Sequence, residues 1–317
     1  VKLSIEAPTL HGAWTMRVTN DGNVPVRLAA DARLLSLDVT PRGDTRAVHC
    51  ELPLDMRPDD DLDRSLILPP KRSYAETFEP RLYCFGERAL QSLSPLAIVV
   101  ARLGWPAGSR SEVRQAVSAI DGVEPVMGSL PSLTSPPVAL GDDPTPSPAP
   151  ALLPDATPAD QPALRLSGAV TVDAQTLGDL TVSVTLHNEG SRPVRLRFKP
   201  ETLAFDVTTS HGVEHCSWPT QVGAPMRELF STLRGGGSET LSVLLGDYCN
   251  PKSFEQAGLV VVRPQLDTRH AGGQEVGLHT FDGQVLATVP TVVRLHRGTG
   301  SARLGRPHLE AEQPPTE

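Results

Sequence analysis

The feature that most constrains this chain is that it matches itself. The stretch from Asn20 to Thr40, NDGNVPVRLAADARLLSLDVT, aligns without a gap to Asn188 to Thr208, NEGSRPVRLRFKPETLAFDVT, 168 positions later, and ten of the 21 positions are identical. Self-similarity at a fixed offset is the sequence signature of a repeated structural unit, so whatever the first stretch folds into is expected twice. The shared core is Asn-x-Gly-x-x-Pro-Val-Arg-Leu. Asn and Gly supply turn conformations and Pro resists the middle of a sheet, so the motif predicts a strand, a turn and another strand.

Periodicity extends the match where identity fails. A half-buried strand alternates its side chains between two faces. Trp14, Met16 and Val18 are predicted to face inward, and Val182, Val184 and Leu186 repeat the pattern. Leu35, Leu37 and Val39 are matched by Leu203, Phe205 and Val207 in the same way. The correspondence continues through His49-Cys50 with His215-Cys216 and Tyr83-Cys84 with Tyr248-Cys249, the offset shrinking as loops lose residues. The apolar runs Leu96 to Val100 and Leu259 to Val262 are expected as corresponding strands of the two copies. Asp121-Gly122 and Asp282-Gly283 are expected as hairpin turns before each last strand.

Between the copies, residues 141–162 hold seven prolines in 22 positions and no strand pattern. The resulting division is a first repeat over 1–140, a Pro-rich linker over 141–162, a second repeat over 163–297 and a disordered polar tail over 298–317. Ser109 to Ile120 breaks the β pattern: Ser111 suits an N-cap, and Val113, Ala116, Val117 and Ile120 recur at helical spacing. Its counterpart, His270 to Leu278, contains Gly272 and Gly273 and is expected as a loop.

Composition agrees with an all-β chain of two cores. The 317 residues include 31 Pro and 26 Gly against 3 Trp, 3 Tyr and 7 Phe, which suits short strands and turns. A net charge of -8 argues against nucleic acid, whose binding rests on clustered Lys and Arg. No apolar run is long enough to span a membrane as a helix. The opening VKLSIEAP alternates like a strand and lacks the layout of a secretory signal, so the expectation is that a signal was removed or never existed.

The four cysteines are the strongest chemical signal. Cys50 and Cys84, and Cys216 and Cys249, stand at matching places, and of the three possible connectivities the repeat favours 50–84 with 216–249. Two disulfides would place the protein in an extracytoplasmic compartment: periplasm, cell surface or secreted fraction. Four reduced, buried thiols in a cytoplasmic protein are the alternative. A zinc site from His49, Cys50 and Cys84, or from His215, Cys216 and Cys249, meets a geometric objection. Neighbouring strand residues face opposite ways, and each copy offers three ligands where a structural site takes four.

Other patterns give no site. Asp59, Asp60, Asp61 and Asp63 resemble the start of a calcium loop, but Arg64 and Pro70 stand where an EF-hand needs Gly and Glu. Arg234 to Ser238, RGGGS, lacks the Lys-Ser/Thr of a phosphate loop and is expected as a flexible hairpin loop. No nucleophile signature appears. Tyr83 and Tyr248 are expected to pack or hydrogen-bond at a strand corner, and Arg27 and Arg195 to be exposed or paired with an acid. No cofactor or catalytic residue is assigned.

The pattern NDGNVPV and NEGSRPV resembles the early strands of bacterial Ig-like sandwich families, including CARDB-like adhesion modules. The resemblance covers about 25 residues per copy and implies two tandem Ig-like antiparallel β-sandwiches. It departs from antibody-type domains, because Trp14 lies on the candidate B strand and the first Cys follows the next strand. The expected role is a non-enzymatic interaction or structural protein of the envelope or secreted fraction, binding a protein or glycan through sandwich-end loops. The alternatives are an enzyme or enzyme accessory and a protease-inhibitor-like sandwich. A deep pocket lined by His and carboxylates in one copy alone would favour the enzyme.

Overall fold

The computed structural model describes residues 1–10, 12–58, 65–104, 124–125, 133–141, 162–210, 212–219 and 224–299. The acidic run Asp59 to Asp63, the helix expected over Ser109 to Ile120 and the Asp121-Gly122 turn lie outside these residues. So do residues 142–161 of the linker and 300–317 of the tail. The chain divides into two compact units, Val1–Leu153 and Pro154–Glu317. Strands are the main regular structure of both, in keeping with the Pro- and Gly-rich, period-two sequence.

In the first unit, β1 (Lys2–Glu6), β2 (Trp14–Thr19), β3 (Val26–Ala29), β4 (Leu35–Thr40), β5 (Val48–Glu51), β6 (Ser65–Leu68) and β7 (Ser73–Phe78) lead to two short helices, α1 (Pro80–Tyr83) and α2 (Glu87–Ser92). After these come β8 (Ile98–Leu103), β9 (Glu124–Pro125), β10 (Leu133–Thr134) and β11 (Val138–Ala139). One sheet has the order β1-β2-β7 and the other β10-β8-β4-β5, with β11 also on β8. A small third sheet has the order β6-β3-β9.

The second unit contains β12 (Leu164–Gly168), β13 (Thr171–Ala174), β14 (Thr181–Asn188), β15 (Val194–Leu196), β16 (Leu203–Thr209) and β17 (Gly212–Ser217). These are followed by β18 (Ser231–Leu233), β19 (Ser238–Leu244), β20 (Gly258–Asp267), β21 (Gln284–Leu286) and β22 (Thr291–Leu295). The sheets are β12-β14-β19, β13-β22-β20-β16-β17 with β21 on β20, and the pair β15-β18. The order β12-β14-β19 parallels β1-β2-β7, and β20-β16-β17 parallels β8-β4-β5.

Each unit is a two-sheet sandwich whose core comes from alternate residues. Trp14, Met16 and Val18 on β2 are fully buried, as are Leu37 and Val39 on β4. Val182, Val184 and Leu186 on β14 pack in one core with Leu203, Phe205 and Val207 on β16. Burying side chains of this size contributes about 1.5–3 kcal/mol each relative to exposure. The Asn-x-Gly turn is also built twice. Asn20 Nδ2 donates to the carbonyls of Val24 and Leu68 while its Oδ1 accepts from the Gly22 N–H. Asn188 Nδ2 donates to the carbonyls of Arg192, Leu233 and Arg234, and its Oδ1 accepts from Gly190.

Several local expectations are corrected. The run from Leu96 does not begin as a strand: Leu96 has φ of 63°, and the Ala97 N–H closes a turn on the Ser94 carbonyl, so β8 starts at Ile98. RGGGS is not a hairpin loop, since β18 before it pairs with β15 whereas β19 after it pairs with β14. Its glycines let the chain press on the Asn188 turn. A Cβ on Gly235 would stand 2.4 Å from the Ser191 carbonyl oxygen, and the Gly236 N–H donates to the Asn188 carbonyl. Asp282-Gly283 forms no two-residue turn. It ends the loop 268–283 between β20 and β21, closed where the Gly283 N–H donates to Thr268 Oγ1. The helices α1 and α2 were not legible as periodic segments; α1 forms because Pro80 occupies its first turn and Glu79 accepts from the Arg81 N–H.

Candidate functional site

Cys50 on β5 is bonded to Cys84, which caps α1, and Cys216 on β17 is bonded to Cys249; the Cα atoms are 4.6 Å and 4.7 Å apart. Both bridges tie an outer strand of the larger sheet to the connection leading to β8 or β20. Strand alternation turns the adjacent histidines away from the sulfurs: Cys50 and Cys216 are buried, whereas His49 and His215 are exposed. His49 Nδ1 lies 2.8 Å from Asp38 and its Nε2 3.3 Å from Glu51, and His215 Nδ1 lies 2.8 Å from Asp206. The His–Cys neighbours therefore serve two different faces, the sulfurs being taken up in the disulfides. Tyr83 and Tyr248 are buried, and each hydroxyl donates to a carbonyl 2.7 Å away, Ala32 for Tyr83 and Pro200 for Tyr248. Arg195 is exposed, with Nε 3.4 Å from Thr232 Oγ1.

The arrangement with most room for a ligand is one end of the second unit. In an antiparallel sheet the start of β16 lies beside the ends of β17 and β20, which brings Leu203, Ser217 and Asp267 to one edge. The loop 268–283 projects there and is flanked by two openings. On one side a cavity of about 410 Å³ is lined by Glu201, His215, Trp218, Asp267 and His270, among others. Trp218 stands edge-on to Tyr248, with ring centroids 5.2 Å apart, and Tyr248 stands edge-on to Phe205. On the other side a cavity of about 660 Å³ is lined by the turn Gly190 to Arg195 and by His279, Thr280 and Phe281. The Phe281 N–H donates to the Arg195 carbonyl over 2.8 Å, pinning this loop to β15.

The acids of the first opening are already engaged. Asp267 accepts from Arg269 at 2.6 Å and Gln284 at 2.8 Å; burial raises its pKa, but these bonds outweigh that and hold it below the ordinary carboxylate value. Glu201 accepts from Arg197 Nη2 at 2.6 Å, and its pKa is lowered on balance, burial opposing and the Arg197 bond prevailing. Among the described residues no group of three or more His, Cys, Asp or Glu is placed to hold a metal ion. The opening offers an aromatic wall, two imidazoles and two carboxylates, each carboxylate already hydrogen-bonded to an arginine.

Trp218, Arg192, His279 and Phe281 were not singled out in the sequence. The signal that could have found the first two is the self-comparison, because Trp218 stands where the first copy has Leu52 and Arg192 where it has Val24. Leu52 is buried in the first unit.

No protein-family model matches this chain, and no curated protein matches it. Among solved structures, red sea bream transglutaminase is similar over 93% of this chain at 11% identity and a TM-score of 0.20; the match spans 31% of that enzyme. A chain from a chaperone–tip adhesin complex of CFA/I fimbriae is similar over 91% of this chain and all of its own, at 9% identity and a TM-score of 0.20. The class 5 fimbriae chaperone CfaA is similar over 87% of this chain and 92% of its own, at 10% identity and a TM-score of 0.18. Likenesses this slight carry no argument about function, which rests on the site. Among the described residues no helix is long and apolar enough to cross a membrane.

Proposed function

We propose that this chain is a non-enzymatic interaction protein of the cell envelope or secreted fraction, holding a protein or glycan partner at the loop-bearing end of its second unit. The observation that carries the reading is the pair of openings on either side of the loop 268–283, set on a disulfide-stapled sheet. Loops displayed on a rigid scaffold are where binding residues concentrate. Two disulfides favour an oxidising compartment. The strand orders and the twice-built Asn turn support an Ig-like duplicated scaffold, with function where the copies differ. The engaged states of Glu201 and Asp267 weigh against acid–base catalysis, which needs a group free to exchange its proton.

The test is capture from an envelope fraction and a glycan array, using the full chain and its Trp218→Ala and Arg195→Gln variants. The expected result is a partner retained by the wild type and lost from at least one variant, each variant remaining folded at the assay temperature. Retention that is indifferent to both substitutions would remove the second-unit end as the interaction surface.

A further inference from the structure

We infer that the larger opening of the second unit binds an acidic peptide segment through its side-chain carboxylates, an inference that rests on reading this end of the unit as the interaction surface. The lining carries the exposed cations Arg192 and Arg195 and the exposed imidazole of His279, and it contains no Asp or Glu. Neither acid adjacent in sequence lines the opening, and Glu189 is held by Arg165 at 2.6 Å. Neither Arg192 nor Arg195 forms an ion pair among the described residues, whereas Arg197, two positions on, is paired with Glu201. Two guanidinium groups and an imidazole with no acid among the lining residues give this opening a positive charge on a chain of net charge -8. It marks a place complementary to negative charge.

The geometry favours a peptide. Pro193 stiffens the backbone between the two arginines, and the Phe281-to-Arg195 backbone bond fixes the opposite wall. Guanidinium forks match carboxylates in a bidentate fashion, and two forks set three positions apart suit more than one carboxylate. A cavity of about 660 Å³ is far larger than a single anion needs. A sugar would call for an open ring face to stack on, yet Phe281 packs against the core of the unit. The first copy has Val24 in place of Arg192, so the site belongs to the second unit alone.

The experiment is fluorescence anisotropy on the full chain with a labelled octapeptide of alternating Glu and Ser, its Gln/Ser isostere and an oligogalacturonate. The Glu peptide is expected to bind at least about tenfold more tightly than the Gln peptide, and its affinity to fall as salt rises. An Arg192→Gln/Arg195→Gln double variant should lose about tenfold or more, the corresponding double Lys variant should recover part of it, and Arg27→Gln in the first unit should change nothing. Equal binding of the two peptides, binding of neither, or binding of the oligogalacturonate in their place would overturn the inference. If the Glu peptide fails while partner capture still depends on Trp218 or Arg195, this inference falls and the interaction reading stands; loss of both removes both.

Discussion

The Tyr83 hydroxyl donates a 2.7 Å hydrogen bond to the carbonyl of Ala32, 51 residues away in the chain, from a side chain that is 5% exposed. The bond ties the residue next to Cys84 to the turn that enters β4, so one corner holds both a covalent and a polar link. Tyr83→Phe removes one of the two donors to that carbonyl, the Leu35 N–H remaining, and should cost about 0.5–1.5 kcal/mol in urea unfolding. Burial, reinforced by the nearby Glu76 and Asp31 carboxylates, pushes the phenol pKa far above its ordinary value. Alkaline absorbance titration should therefore show Tyr83 silent until the chain unfolds.

The two bridges should act separately. Each closes a loop of 34 or 33 residues, for which chain entropy gives a stabilisation of ~3–4 kcal/mol. Cys50→Ser/Cys84→Ser should lower the stability of the first unit and leave that of the second unchanged, with the reverse for Cys216→Ser/Cys249→Ser. Proteolysis in a urea series, with fragments assigned by mass, reads the units individually. Intact mass of the wild type should show two hydrogens fewer per bridge than the reduced form.

What the sequence made legible was whatever period two and identity between the copies carry. The buried faces of β2, β4, β14 and β16 follow from alternation, because Trp14, Val18, Val182 and Leu186 have no other place for their apolar area. Pairing across sheets was not legible. RGGGS looks like a hairpin loop because nothing local tells that β18 and β19 belong to different sheets; only the approach of Gly235 to the Ser191 carbonyl reveals it. The candidate site was partly legible. The loop around Gly272 and Gly273 stood out as a departure from the repeat, but the residues that meet it, Trp218 and Arg192 to Arg195, come from distant strands.

His49 should report pH. Its bond to Asp38 raises its pKa most; burial opposes and the contact with Glu51 adds to the rise. A histidine whose folded pKa exceeds its unfolded value of about 6.5 stabilises fully below that value and loses the contribution as pH rises through the folded pKa. The pair is half-exposed, so the effect is a few tenths of a kcal/mol at most. Relative to His49→Asn, the wild type should lose this increment in urea midpoints as pH rises above the unfolded value of about 6.5 and through the raised folded pKa. NMR titration of the His49 ring should give a midpoint above the free-histidine value.

Arg197 offers a test in the opposite direction. It is 3% exposed, and although Nη2 bonds Glu201, Nε and Nη1 find no acceptor among the described residues. A buried guanidinium satisfied on one side only carries a desolvation cost that its single partner does not fully offset. Arg197→Met keeps the aliphatic stem, removes the orphaned donors and leaves Glu201 partly exposed to water. The expected outcome is a chain as stable as the wild type or more stable by ~1 kcal/mol. A loss above ~2 kcal/mol would mean that the ion pair outweighs the desolvation.

The strongest effect of a single polar residue should come from Asn188, which is fully buried. Its amide donates to the Arg192 carbonyl at 2.8 Å and to those of Leu233 and Arg234 at 3.2 Å, and its oxygen accepts from the Gly190 N–H at 3.0 Å. One side chain thus joins the turn before β15 to the end of β18 and positions the arginine-bearing edge of the larger opening. Asn188→Ala takes the acceptor from the half-buried Gly190 N–H and a donor from the buried Leu233 carbonyl, so a loss of ~2–3 kcal/mol is expected. Asn188→Asp should cost at least as much, because a carboxylate cannot donate to those carbonyls and carries a buried charge. Gly235→Ala approaches the same junction from the other side, its methyl set against the Ser191 carbonyl, and should destabilise by straining the segment whose Arg234 carbonyl and Gly236 N–H both bond Asn188. Urea unfolding of the single and double variants, analysed as a cycle, should show coupling between 188 and 235. Strict additivity would mean that the glycine run and the Asn turn are independent.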